Sequence, residues 1–259
     1  MDQKQEHFFP IFAVIAFASL VTLGLWWSQT PATRKTDSIA PTQTHIFSKK
    51  FPNHDKFISE VSLLKSQGKL TSENEAKILS AIAKTSPILS VPPSLLYCLL
   101  FQESRLDHLL GLDENSGALG LGQFSYYSFF EINHELTNFS PKSLTALEKV
   151  LGYDARPILA NSEKIESASS YFNIPTAVVA SAIYLNNRFN QLSHLIEKRQ
   201  LPYDTNLVWI LSAMAYNKGT RSILSLWNQA EEKHGKAGLE SFLSQPKFFI
   251  ASLSDESLL

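Results

Sequence analysis

The chain has 259 residues, 44% of them apolar, and a net charge near -1, enough to bury one substantial core with at most one small accessory segment. No dense run of lysine and arginine occurs, so the electrostatic footprint of a nucleic-acid binder is missing. A single cysteine, Cys98, excludes an intrachain disulfide, and the seven histidines never join cysteines or carboxylates at zinc-site spacings, so neither metal nor cofactor is expected.

Residues 1–7 form a short flank. Phe8 to Trp27 then carries no charge over twenty residues, which at 1.5 Å per residue spans roughly the 30 Å of a bilayer core. Trp26 and Trp27 suit the interfacial belt, and Pro10 falls in the first turn. The segment is expected to be a transmembrane helix. It reads as a retained anchor rather than a cleaved signal, because it exceeds the usual signal core and no small-x-small site follows Trp27. Residues 28–50 are rich in Ser, Thr, Pro and Gln and read as a tether.

From Phe51 the apolar spacing is helical. Residues 51–85 read as a helical extension, with a capping box of Ser72 and Glu75 ahead of Ile78, Leu79 and Ile82. Val91-Pro92-Pro93 is a helix entry for the apolar run Ser94 to Phe101, where Cys98 reads as a buried, inert thiol. Ser140-Pro141 opens a segment that closes at Gly152. Pro175 begins a long helix through Ile183 and Leu195, and Pro202 separates it from a helix whose face is Leu207, Ile210, Leu211 and Met214. Strand signals are scarce, so the fold class expected is all-α, with seven or eight helices. Phe248 to Leu253 fits strand or helix equally.

Glu103 lies at the end of the Ser94 to Phe101 helix. The negative end of the helix dipole and the neighbours Leu99, Leu100 and Leu106 all favour its protonated form, as a general acid working near neutral pH requires. Ser104 follows it. Thirteen residues beyond Ser104, Gly117, Gly120 and Gly122 place three of the chain's ten glycines within six residues, a backbone suited to a tight turn against a ligand. The turn closes on Gln123. It lacks the preceding strand and the Lys-Ser/Thr ending of a phosphate loop. Asp113 and Glu114 read as solvated loop acids, or as support for a water in a hydrolytic reaction. His108 reads as a loop histidine, with a place in the cleft as the alternative.

These residues resemble, in order, the catalytic domain of soluble-type lytic transglycosylases, within the lysozyme-like superfamily. Glu103-Ser104 resembles the family's Glu-Ser pair, Ser116 to Phe124 its Gly-Ala-x-Gly-Leu-x-Gln turn, and Ala215-Tyr216-Asn217-Lys218-Gly219 its Ala-Tyr-Asn-x-Gly motif. Ala182-Ile183-Tyr184-Leu185 is similar to a weaker signature between them. The resemblance covers residues 86–230 and leaves 231–259 as a C-terminal extension. Three departures stand out: Gly122 replaces a usual methionine, Lys218 a frequent alanine, and Phe124 to Ala180 is longer than the family pattern.

The resemblance implies a lysozyme-like helical domain that cleaves the β-1,4 bond between N-acetylmuramic acid and N-acetylglucosamine in peptidoglycan glycan strands, leaving a 1,6-anhydro ring. Glu103 would serve as acid and then as base. Tyr216 would place its hydroxyl against Glu103 or the developing positive charge, while Ser104, Ser116, Gly117, Gln123 and Asn217 would line the substrate. The missing second carboxylate matches substrate-assisted glycosidases, in which the sugar's acetamido group replaces a protein nucleophile. Peptidoglycan lies outside the cytoplasmic membrane, so the domain after Trp27 would face the periplasm or wall. A lysozyme-type hydrolase and a non-catalytic peptidoglycan scaffold are the competing readings.

Overall fold

The computed structural model describes residues 54–111, 117–152 and 172–244. The expected membrane segment 8–27 and tether 28–50, together with Asp113, Glu114, Ser116 and the run Phe248 to Leu253, lie outside the described residues. Among the described residues the chain is all-helical, with eight helices, no strand, and no helix long and apolar enough to cross a membrane. They are α1 His54–Ser66, α2 Ser72–Leu89, α3 Pro93–Ser104, α4 Tyr126–Thr137, α5 Pro141–Leu151, α6 Ile174–Lys198, α7 Thr205–Lys218 and α8 Thr220–Ser244. The chain divides into two compact units, one comprising Arg34–Asn187 and the other containing Arg188–Leu259, with the division inside α6.

In the first unit the helix starts follow local chemistry. Proline occupies the first turn of α3 and α5, where its missing N–H is no loss and its fixed φ suits the helix. Ser140 caps α5 by accepting from the Ser143 N–H at 3.1 Å, and Gly152, at φ 78°, ends it. Asn173 accepts from the backbone N–H and the hydroxyl of Thr176 at the start of α6. At α2 the structure departs from the expected capping box. Thr71, one residue earlier, is extended and accepts from the Asn74 N–H at 3.1 Å. Glu75 is buried and pairs instead with Lys65, an exposed lysine in the last turn of α1.

α3 is the unit's central helix. Every side chain from Leu95 to Phe101 is buried, so this helix is apolar all round rather than on one stripe. α2 packs against α3 and α5, and Phe57 of α1 sets its ring against Tyr97 at 5.8 Å and Phe101 at 4.8 Å. The Asn186 amide of α6 donates to the Leu89 carbonyl at 2.9 Å, satisfying an end group of α2.

The second unit is built on the later part of α6, α7 and α8. Leu207, Ile210, Leu211 and Met214 are buried as their spacing predicts, in one cluster with Leu192, Ile196, Ile223 and Trp227. Phe189 stacks on Trp209 at 4.0 Å. Asp204 caps α7 by accepting from the N–H groups of Asn206 and Leu207, and its own N–H donates to the Leu243 carbonyl at 3.0 Å. α8 runs across residue 230, and Leu239 and Leu243 beyond it are buried in the same cluster. A kink falls at Gly235, whose φ of 70° and ψ of 179° only glycine takes easily.

Candidate active site

Glu103 stands in the last turn of α3, half-buried. The helix stops there because the next two residues, Arg105 at φ 54° and Leu106 at φ 62°, are both left-handed. That conformation costs a non-glycine residue about 1–2 kcal/mol, so it persists only where the surroundings hold it. Three contacts hold Arg105: its N–H donates to the Phe101 carbonyl at 2.8 Å, its guanidinium pairs with Glu60 of α1 at 2.8 Å, and the same group lies 4.9 Å from the centre of the Phe101 ring. Leu106 is held by burial in the core.

Ser104 is 2% exposed, and its hydroxyl donates to the Leu100 carbonyl at 3.1 Å. Its own carbonyl accepts from the Asp107 N–H at 3.0 Å. Both bonds finish the helix, so the direct sugar contact expected of Ser104 has no exposed surface to serve it here.

The glycine turn lies in the same unit. Leu119 and Phe124 exchange two backbone hydrogen bonds, at 3.1 and 3.0 Å, closing a loop of four residues from Gly120 to Gln123. The Gly120 N–H donates to the Leu110 carbonyl at 2.9 Å, which ties this loop to the segment leaving Glu103. Gln123 is left-handed at φ 49°. Its side-chain amide nitrogen donates to the Gly120 carbonyl at 2.8 Å, and its backbone N–H reaches the same oxygen at 3.2 Å. The side chain is therefore folded onto its own turn and half-buried.

The three glycines differ in what requires them. Gly120 takes φ 69°, the conformation glycine alone adopts at no cost. At Gly122 a Cβ would lie 2.4 and 2.5 Å from two Phe124 ring carbons and 2.5 Å from the Ser181 hydroxyl oxygen of α6. Phe124 and Ser181 are both buried. The ring and the serine thus occupy the space that any side chain at this position would need. Gly117 is exposed, has an ordinary φ, and would meet nothing within 4 Å, so neither backbone nor packing demands glycine there.

Tyr216 and Asn217 belong to the second unit, and the geometry of each group is that of its own unit. Tyr216 is buried and Asn217 exposed in the last turn of α7. The end of that helix is made by Gly219 at φ 79°, whose N–H donates to the Ala215 carbonyl at 2.9 Å, so Asn217 is not needed as the cap. Thr220 follows directly and donates its hydroxyl to Gln191 Oε1 at 2.7 Å, and the buried Arg188 guanidinium donates to the same oxygen at 3.1 Å. Gln191 thereby fixes the strand of backbone that follows the Tyr-Asn pair.

Sequence reasoning missed Arg105, Ser181 and Gln191. The small run Ala180-Ser181-Ala182 on an otherwise bulky helix was the available signal of close approach at Ser181. Arg105 and Gln191 act through partners distant in the chain and left no local sign.

Burial pushes the Cys98 thiol well above its ordinary range, which keeps it from acting as a thiolate. Burial also lowers His108 below the ordinary histidine value, opposed by the carboxylate of Asp107 and assisted by Lys77. Among the described residues no group of three or more His, Cys, Asp or Glu is placed to hold a metal ion. No protein-family model, curated protein or solved structure matches the chain.

Proposed function

We propose that this chain is a membrane-anchored peptidoglycan lytic transglycosylase of lysozyme-like fold, with Glu103 as its single acid and base. One observation carries the reading. A half-buried glutamate ends an apolar helix, and the segment leaving it is hydrogen-bonded through Leu110 to the glycine turn that carries Gln123. The order of the Glu-Ser, glycine-turn and Ala-Tyr-Asn-x-Gly motifs supports the same reading.

In the reaction Glu103 gives its proton to the glycosidic oxygen between N-acetylmuramic acid and N-acetylglucosamine as the C1–O bond breaks. The acetamido oxygen of the muramoyl sugar supports the developing charge at C1. The muramoyl C6 hydroxyl then attacks C1, and the Glu103 carboxylate takes its proton, which restores the acid and closes the 1,6-anhydro ring. No water is consumed. Tyr216 and Asn217, in the Ala-Tyr-Asn-x-Gly motif, are the further residues that the resemblance assigns to catalysis and to sugar binding.

The full chain, extracted in detergent and incubated with purified walls, should release anhydromuropeptides detectable by mass spectrometry. Glu103→Gln should reduce the rate by about 10²–10⁴ with an unchanged circular dichroism spectrum. Products heavier by one water, or an undiminished rate in the variant, would refute the mechanism. Residues 8–27 anchor the enzyme with its catalytic domain outside the cytoplasmic membrane, so a topology reporter fused after Leu259 should read extracytoplasmic.

A further inference from the structure

The helical turn that carries Glu103 is closed twice by one residue. Arg105 donates its backbone N–H to the Phe101 carbonyl at 2.8 Å, and its guanidinium lies 4.9 Å from the centre of the Phe101 ring. Glu103 is the middle residue of the span from Phe101 to Arg105. Helix α1 engages both ends of that span. Phe57 and Glu60, spaced i, i+3 and so on one face of α1, meet the Phe101 ring at 4.8 Å and the Arg105 guanidinium at 2.8 Å. α1 is thus fastened to the last turn of α3 on either side of Glu103.

An arginine at this position has to be explained. Helices that end in a left-handed residue commonly use glycine there, because it takes that conformation freely, whereas Arg105 at φ 54° is strained. The stability its side chain contributes is of similar size to that strain. Its ion pair is exposed at both partners and screened by solvent, and its contact with the Phe101 ring is that of an exposed cation. Little net stability is left to account for the residue. What a side chain reaching both Phe101 and Glu60 supplies, and glycine does not, is a fixed orientation for the turn between them. Strain retained beside a proposed catalytic group is consistent with that use.

We infer that Arg105 is a positioning residue for Glu103, anchored to α1 through Glu60. The inference rests on the proposed function for what Glu103 does, and on the contacts of Arg105 for what holds it. In the full chain, Arg105→Gly should lower the maximal rate of anhydromuropeptide release by about 10–100-fold while the half-saturating wall concentration stays the same. Thermal stability should not fall in step, because the glycine also removes the left-handed strain. Arg105→Lys, which keeps a cation for Glu60, should recover part of the rate. Glu60→Gln should slow the wild-type chain but add nothing to Arg105→Gly, since the two act as one unit. An unchanged rate in Arg105→Gly, or a rate lost only in proportion to thermal stability, would overturn the inference and leave the proposed function standing.

The setting of Glu103 can also be read without turnover. In protein carrying isotope-labelled glutamate, the Glu103 carboxyl resonance is assigned by its loss in Glu103→Gln. It should shift or broaden in both Arg105→Gly and Glu60→Gln. The second variant retains the Arg105 charge, so a change there reports position rather than the loss of a neighbouring cation. A resonance identical to wild type in Glu60→Gln would overturn the anchoring of Glu103 through α1. If the wild-type chain releases no anhydro product and both variants still move the resonance, the positioning stands and the transglycosylase reading fails.

Discussion

Gly122→Ala is the most direct test of how the glycine turn is built. The added methyl would sit 2.4 and 2.5 Å from the Phe124 ring and 2.5 Å from the Ser181 hydroxyl oxygen, closer than nonbonded heavy atoms approach, so one of the neighbours must move. Ser181 can rotate. The Phe124 ring is buried, and its backbone is pinned by the two hydrogen bonds to Leu119. Relief therefore requires displacing the ring, the turn, or α6. Overpacking of this kind costs about 1–3 kcal/mol, a fall in Tm of about 2–4 °C per kcal/mol for a chain of this size. Gly117→Ala is the control, because a Cβ there meets nothing within 4 Å and the backbone is unstrained. It should be neutral, or stabilising by up to about 1 kcal/mol through the unfolded chain. Both variants are compared by thermal and urea unfolding. Adding Ser181→Gly to Gly122→Ala should recover part of the loss, giving a positive coupling between the two sites. Equal stability of Gly122→Ala and Gly117→Ala would refute the packing account of the turn.

At Arg105 the two simplest truncations should differ in stability. Arg105→Ala loses the exposed Glu60 pair and the Phe101 contact but keeps the left-handed strain, whereas Arg105→Gly removes that strain, so the glycine variant should be the more stable by about 1 kcal/mol in urea unfolding. Gln191→Met takes the shared acceptor from Thr220 and the buried Arg188 and should cost about 1–3 kcal/mol, while Gln191→Glu, which retains an oxygen acceptor, should cost less; the reverse order in thermal melts would sink the role assigned to that oxygen. His108 has a folded pKa below 6.5, so the unfolded chain binds its proton first on acidification. Its contribution is therefore complete above about pH 6.5 and is lost as pH falls from there through the lowered folded value. The slope of stability against pH in that window should flatten in His108→Gln, with the half-exposed site keeping the change small.

The helix starts at Pro93, Pro141 and Pro175 were legible in the sequence because proline in a first turn is a local matter of fixed φ and a missing donor. The same holds for the Ser140 cap and the Gly152 end, where the partner lies within four residues. At α2 locality failed. Thr71 and Ser72 are both able to cap, and the choice follows the pull of Lys65, on another helix, upon Glu75.

The candidate site divides along the same line. Its residue types and their order were legible: an acid after an apolar helix, three crowded glycines, and a tyrosine before a helix-ending glycine. Which glycine is indispensable was not, because Gly122 is required by Phe124 and by Ser181, a residue 59 positions away in the chain. Nor was the burial of Ser104 or the left-handed exit through Arg105 and Leu106, which an ion pair to α1 and a core contact sustain. Short-range patterns specify helices and caps because their hydrogen bonds close within a turn or two. Tertiary packing decided the shape of the turn and the presentation of Glu103, because each depends on which distant atoms fill the neighbouring space.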